Sequence, residues 1–432
     1  MSDESKNHLS KIEVISLGVG TMVGAGIFAL FGQISTLAGG WAWAAFVVAG
    51  VISALAGYSY FKLAPLAHTN GGIAEYLNLG WNGGLVGSVV SLCYFLSIAI
   101  VLGLVADSFG HYTAKVLGLE AGWINAFGIA VMILFLFVNA AGIKFMGIAE
   151  KILVVGKLAV LIGFTIVAFS HFGAQTYAQN QGAVSFDFGK FVNAVALANL
   201  SFAGFAVIAN AGGSVKRGEG IIGQSIFIAI LIVALVYIAL DIAVFGAIPI
   251  NTIEQAKDYA LAQAAQPVLG QFGFLLLGIT AIVSTMTNIN ANTFSASNTI
   301  GYMGDEKQLS PTLSKRLFLK QGSIAMILTV VIVIGMLLTL NLNQIGDVAS
   351  LTFLLVHTFI PLGNVLNKKE ESGANPVILW LAVIGNGGLL AFFIYHLLGG
   401  HNLELWVFAG VVAFAIVFQL INARIYGGKS AA

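Results

Sequence analysis

The 432-residue chain is 58% hydrophobic and only 9% charged, with a net charge of +1 and a mean hydropathy of +0.95. A soluble domain needs about 25% charged residues to cover its surface, so water is not the main solvent of this chain. The near-neutral balance, with no basic run, leaves no footprint for nucleic acid. The one cysteine, Cys93, sits in an apolar stretch, which excludes an intrachain disulfide or thiolate metal cluster and reads as a small packed residue.

Apolar stretches long enough to cross a hydrocarbon core, which takes about 20 residues of helix, follow one another from end to end. The predicted spans are 12–36, 41–64, 85–112, 121–142, 148–170, 191–212, 220–246, 268–300, 323–340, 345–366, 376–398 and 403–426. All are read as helices, because a barrel shows alternating short strands and unpaired backbone is costly in lipid. The expected fold is therefore an all-α integral membrane bundle of about 12 transmembrane helices. Residues 1–11 are polar, and the apolar stretch behind them is too long for a signal-peptide core and lacks a cleavage pattern. The first span is expected to stay in the mature protein, with short loops and no appended soluble domain.

Basic residues test this count, since cytoplasmic loops carry an excess of Lys and Arg. Alternating the spans puts Lys6, Lys11, Lys62, Lys144, Lys151, Lys216, Arg217, Lys307, Lys315, Arg316, Lys320, Lys368, Lys369, Arg424 and Lys429 on one side. The other side holds only Lys115, Lys190 and Lys257, and Lys157 remains inside a span. Both termini are thus expected in the cytoplasm of a cell (inner) membrane protein.

The first span reads SLGVGTMVGAGIFALFG, with Gly18, Gly20, Gly24 and Gly26 in its middle. Glycine there weakens a helix by about 1 kcal/mol relative to Ala and lets the backbone unwind. The sixth span carries NLSFAGFAVIANAGG, with Gly204 mid-span and Asn199, Ser201 and Asn210 around it. Glycine often serves only close packing of membrane helices. Interruptions at corresponding places in two halves of five spans, the second inverted relative to the first, instead point to a midplane binding site. Unwound segments expose amides suited to a carboxylate and carbonyls suited to an ammonium, so a zwitterion fits the pair.

VGTMVGAGIF in span one, YFKLAPLAHTNGGIAEYLNLGWNGG after span two and SFAGF in span six resemble the amino acid-polyamine-organocation (APC) permeases. The resemblance covers about residues 11–365, with the last two spans agreeing only in number. It implies a LeuT-type core of five plus five inverted helices. The first repeat would span 12–170, the second 191–366, with peripheral spans in 376–426. It implies a substrate carboxylate at the amides of Val23, Gly24, Ala25 and Gly26. The substrate ammonium would meet the carbonyls of Leu200, Ser201 and Ala203, with Phe202 or Phe205 lying over the pocket. The chain departs from the family after span six, where NAGGSVKRGEG has Gly213 and Gly218 in place of an acid and a proline, and Ala206 stands where some exchangers carry a glutamate.

Lys157 lies six residues beyond Lys151, about 9 Å deeper along the helix. Burial penalises an ammonium charge, which makes this lysine a candidate to load and release a proton near neutral pH. A snorkelling anchor is the competing reading. The resemblance implies that the ammonium takes the place of a sodium ion, near the Gly20 backbone and an eighth-span hydroxyl, Ser284 or Thr287. Asp107 and Asp241 are intramembrane carboxylates and so candidates for function, although each lies near an outer span end. His357 reads as pocket lining or, as a lone histidine more often is, a hydrogen-bonded packing residue. The polar run TMTNINANTFSASNT in span eight is explained mostly by interhelical bonding.

The implied activity is proton-coupled symport of amino acids by alternating access, with an amino acid or polyamine exchanger or a sodium-coupled permease of the same fold as alternatives. Phe202, Phe205 and Cys93 as neighbours, with no obvious acid, favour a neutral side chain. The expected partners are an amino acid, a proton and the lipid bilayer, with no cofactor and no metal. No GxxxxGK[ST] cradle supports ATP-driven transport, and no HExxH or GxSxG supports hydrolysis. An intramembrane protease built on Asp107 and Asp241 remains a remote alternative, and no repeated filter segment argues for a channel.

Overall fold

The computed structural model describes residues 9–67, 71–142, 148–183, 185–210, 215, 220–319, 322–400 and 402–426. Gly213, Gly218, Lys6, Lys144, Lys216, Arg217, Lys320 and Lys429 lie outside the described residues.

Helices account for nearly all of the described chain. The first half contains α1 (Lys11–Ala25), α2 (Ile27–Ala38), α3 (Ala42–Leu63), α4 (Ile73–Gly80), α5 (Leu85–Val116), α6 (Ile124–Ala140), α7 (Ile148–Ser170) and α8 (Ala174–Ala183). Next come α9 (Phe188–Ser201), α10 (Phe205–Asn210), α11 (Ile221–Ala247), α12 (Ile250–Gln255) and α13 (Ala260–Asp305). The chain continues through α14 (Pro311–Ser314) and a two-stranded antiparallel ribbon, β1 (Arg316–Phe318) with β2 (Gly322–Ser323). It ends with α15 (Ile324–Thr339), α16 (Leu342–Gly363), α17 (Lys369–Ser372), α18 (Pro376–Leu398) and α19 (Asn402–Tyr426).

Among the described residues, ten helical stretches are long and apolar enough to cross a membrane. The first of them, Ile27–Leu66, runs through both α2 and α3, and the apolar α15 is shorter than the rest. Span eight differs most from its predicted bounds. Gly270 adopts φ 64° and ψ −158° just after Pro267, so α13 is two helices joined at a kink, the second reaching Asp305. Proline removes the ladder donor, and glycine alone takes the positive φ readily.

Local chemistry sets several helix starts. Ser10 and Glu13 form a reciprocal capping box for α1, with Ser10 N–H donating to Glu13 Oε2 at 2.7 Å. Asn341 and Gln344 do the same for α16. Asp187 caps α9 by accepting the Lys190 N–H at 2.9 Å, and that bond holds its carboxyl below the usual carboxylate range. A carboxyl favoured in its charged form stabilises the fold above its unfolded pKa, and the benefit disappears as pH falls through the lowered folded value. Asp187→Ala is therefore expected to lower the melting temperature at neutral pH, with wild type and variant converging in acid. A gap that persists unchanged below about pH 3 would contradict this role for the carboxylate.

α5 is buried along most of its length and packs against α13, α16 and α6, while α3 packs on α11. The surface is inverted relative to a soluble domain. Ile152, Val155, Ile166, Leu235, Ile384 and Trp406 point outward, whereas Gln33, Asn199, Asn288 and Lys157 are buried. That inversion is what a lipid solvent selects. The two interrupted spans lie side by side in opposite directions, with α1 against α10 and α2 against α9.

Candidate functional site

Both interruptions foreseen from the glycine pattern exist, and they meet. In the first span the helix breaks at Gly26 alone, with φ −76° and ψ −80°. Gly26 N–H still bonds Met22 O at 2.7 Å and Gly26 O accepts from Leu30 N–H at 3.0 Å. Val23, Gly24 and Ala25 remain within α1, so the amides without helical partners are those opening α2 at Ile27, Phe28 and Ala29, of which Ile27 N–H meets Tyr237 Oη. The amides outside the ladder thus sit a few residues past the four positions expected from the sequence, because α1 holds its ladder up to Ala25.

In the sixth span, α9 ends at Ser201 and α10 begins at Phe205. The turn between is tightened: Phe202 N–H bonds Asn199 O at 3.0 Å, Ala203 N–H bonds Leu200 O at 2.9 Å, and Phe205 N–H bonds Phe202 O at 3.2 Å. Phe205 N–H would close the helical ladder on Ser201 O, so its turn toward Phe202 leaves that carbonyl without its helical donor. A Cβ placed on Gly26 would stand 2.6 Å from Ser201 O and 2.7 Å from Met22 O. One placed on Gly204 would fall onto the Met22 backbone. Only glycine at these two positions lets the breaks touch.

The end of α1 is gripped by three helices. Lys157 Nζ, from α7, donates to Gly20 O at 2.6 Å. Asn288 Nδ2, from α13, donates to Thr21 O at 2.7 Å. Tyr237 Oη, from α11, donates to Met22 O at 2.8 Å and lies against Gly26. Three consecutive carbonyls at a helix C-terminus, where the dipole is negative, thus each receive a side-chain donor from a different helix.

Lys157 is 3% exposed, which rules out an anchor reaching the interface. It also donates to Thr287 Oγ1 at 3.1 Å. Ser284 does not supply that hydroxyl: its Oγ is buried without a hydrogen bond among the described residues, while its carbonyl accepts from Thr287 at 2.9 Å. Residues three apart share a face of the helix, so the choice falls on depth: Thr287, one turn farther along α13, is level with the Lys157 amine.

The aromatic candidates separate. Phe202 is fully buried beside Tyr237, ring centroids 5.7 Å apart, next to the breaks. Phe205 joins a cluster with Tyr60, Phe353 and His357. Leu200 and Ser201 are buried, with Ser201 Oγ donating to Leu197 O at 3.2 Å, and Ala203 is half-buried. Cys93 is buried in α5. His357 bonds its own helix through Nδ1 to Phe353 O at 2.8 Å and stacks on the Phe353 ring at 3.6 Å.

Asp241 is buried one turn beyond Tyr237, with the Trp43 backbone as a hydrogen-bond partner. Asp107 belongs to a different assembly. Its Oδ2 lies 3.5 Å from His111 Nε2, and His111 Nδ1 lies 3.9 Å from Asp258, in the turn preceding α13. Lys115 above the Tyr259 ring at 4.9 Å and Tyr112 Oη donating to Phe28 O at 3.1 Å tie the same end of α5 to that turn and to α2.

Sequence reasoning missed Tyr237 and Asn288. A lone hydroxyl in LIVALVYIALDIAV was the only signal for the first. For the second, the four-residue spacing of Ser284, Asn288 and Asn292 makes one buried stripe that begins just before the polar run and continues into it.

The amino acid permease family matches the chain over residues 9–425. The chain is 30% identical over 419 residues to the inner membrane transport protein YbaT of Escherichia coli K12, covering 95% of each. It is 25% identical over 312 residues to the serine/threonine exchanger SteT of Bacillus subtilis, covering 70% of this chain and 69% of that protein. It is also 25% identical over 301 residues to the aspartate-proton symporter of that bacterium, covering 65% and 57% respectively.

Proposed function

The chain belongs to the amino acid permease family of multi-span membrane transporters, and we propose that it imports neutral amino acids by proton symport through alternating access. In this reading the chain crosses the inner membrane twelve times with both termini in the cytoplasm, and residues 12–170 and 191–366 form two inverted repeats. The observation that carries it is Lys157, a buried amine 2.6 Å from Gly20 O, at the end of the helix whose break meets the second break.

The α2 amides and the Ser201 carbonyl offer opposite partial charges across one small gap. A carboxylate would sit at the first and an ammonium at the second. A proton on Lys157 changes the charge beside the α1 terminus, so the protonated and neutral forms favour different positions of that half-helix. A relative named as an aspartate-proton symporter supports coupling to protons, and one named as a serine/threonine exchanger supports a small neutral substrate and keeps exchange as the second reading.

The test is uptake of labelled amino acids into proteoliposomes. Symport predicts uphill accumulation under an imposed inward proton gradient with no amino acid inside. Accumulation only when the lumen is preloaded would replace symport with exchange.

Tyr237 Oη occupies the space beside Gly26, so substrate must displace it. Tyr237→Phe keeps the ring and removes a hydrogen bond worth about 0.5–1.5 kcal/mol. The apparent Kd for substrate is then expected to fall by about two- to tenfold. A raised Kd in a binding titration would mean instead that the hydroxyl holds the substrate.

A further inference from the structure

A polar cavity of about 450 Å³ lies where α4, α13 and α19 converge, and none of its lining residues belongs to α1, α2, α9 or α10. Asn78, Asp305, Glu306, Gln308, Gln419 and Asn422 form its polar wall. It opens to the surface beside the exposed Gly83, Leu85 and Ala423.

The hydrogen bonds in this wall run in one sense. Gln419 Nε2 donates to Gln308 O at 2.9 Å and Asn422 Nδ2 donates to Lys307 O at 3.0 Å. A backbone carbonyl only accepts, which fixes both amides with their oxygens turned away from those bonds. Asn78 Nδ2 donates to Tyr302 Oη at 2.9 Å and Glu306 Oε2 at 3.2 Å, so Asn78 Oδ1 is left to accept from Gln308 Nε2 at 2.8 Å.

Each side-chain amide nitrogen in the wall therefore already donates to a protein acceptor, Asn78 through two bonds and Gln308, Gln419 and Asn422 through one each. Asn78 Oδ1 and Glu306 Oε2 accept within the wall, and the other side-chain oxygens do not among the described residues. Gln419 and Asn422 are only 2% and 7% exposed, and neither Gln419 Oε1 nor Asn422 Oδ1 accepts a hydrogen bond from a described residue. The Asp305 carboxylate likewise accepts from none, whereas Gln308 Oε1, also without a partner among the described residues, is sealed off from the open space of the cavity. A buried acceptor left alone costs free energy, and Asp305 and Glu306 outweigh Lys307 in charge.

We propose that this cavity binds a primary ammonium group, carried by an ethanolamine lipid headgroup or by a free amine. An ammonium has three donors and no acceptor, the complement of the Gln419 and Asn422 carbonyl oxygens and the Asp305 carboxylate, which accept no hydrogen bond from the described residues. Its occupant joins α4 to the ends of α13 and α19 and so stabilises the arrangement in which these three meet. The proposal does not rest on the transport reading, and uptake is not its readout.

The test compares thermal unfolding of the delipidated protein in ethanolamine with that in tetramethylammonium, which carries the same charge and no N–H. Ethanolamine is expected to raise Tm in a saturable way and tetramethylammonium to leave it unchanged. Asp305→Asn, at an exposed position, is expected to weaken the apparent ethanolamine affinity by about tenfold or more, the loss of one charge-assisted hydrogen bond. Gln419→Lys, which tethers an ammonium in the cavity, is expected to abolish the response.

Nanodiscs distinguish the two sources. If phosphatidylethanolamine, but not phosphatidylcholine, raises Tm and removes the response to free ethanolamine, the ligand is the lipid headgroup. If the response survives in both lipids, it is the free amine. Equal shifts by the two cations, or an unaltered ethanolamine response in both variants, overturn the proposal.

Discussion

Replacing Lys157 with alanine is expected to abolish uphill uptake driven by a proton gradient while counterflow of labelled substrate continues. A single coupled proton at a gradient of one pH unit supports accumulation of up to about tenfold, the equivalent of 1.4 kcal/mol. Without the amine no group at the α1 terminus binds the proton differently in the two conformations, so the coupling free energy vanishes. Accumulation then falls to about onefold at any gradient. The substitution also strips Gly20 O of its charged donor, leaving it only the helical Gly24 N–H, and a hydrogen bond to a charged group contributes about 1.5–3 kcal/mol. Lys157→Gln separates the two effects, since an amide can still donate to Gly20 O and Thr287 Oγ1 but does not titrate. It should lose accumulation and keep more of its thermal stability. An alanine variant that still concentrates substrate in proportion to the pH gradient would remove the lysine from the mechanism.

Gly26→Ala is expected to be as damaging as a far larger change elsewhere. The added Cβ would stand 2.6 Å from Ser201 O and 2.7 Å from Met22 O, both backbone atoms, and would also meet Tyr237 Oη. Backbone cannot rotate away as a flexible side chain can, so the two breaks must separate. Overpacking of this kind costs about 1–3 kcal/mol, and here it falls on the contact that aligns the α2 amides with the Ser201 carbonyl. Substrate-dependent thermal stabilisation and uptake are expected to fall by about tenfold to a hundredfold, the same free energy expressed as affinity. Gly163→Ala, on α7 with nothing within 4 Å of its Cβ position, is the matched control and should transport as wild type does. Equal activity in the two variants would show that the junction of the breaks does not form the substrate site.

Much of the fold was legible because hydropathy is local. Each residue carries its own transfer free energy into lipid, and windows of about 20 such residues locate spans without knowledge of their neighbours. The predicted 148–170 and 376–398 agree at both ends with α7 and α18, and 85–112 is one turn shorter than α5. Lys157 stood out for the same reason, as a charge where charge is costly. The glycine pattern located the first break only to within a few residues, since glycine serves two purposes with one signature. Gly18 and Gly24 bring α1 close to Ile208 on α10 and to the Ser284 carbonyl on α13, whereas Gly26 interrupts the helix.

By itself, then, the sequence determined that the chain lives in lipid, where most of its helices run, that two of them are interrupted, and that one lysine is buried. The tertiary structure alone decided which atoms meet. Thr287 rather than Ser284 faces Lys157, Asn288 and Tyr237 reach the two carbonyls beside Gly20, and Asp107 joins His111 instead of the breaks. Those choices depend on the rotational phase and depth of three or four helices at once. Such relations arise from packing between segments distant along the chain, and no window along one segment carries them.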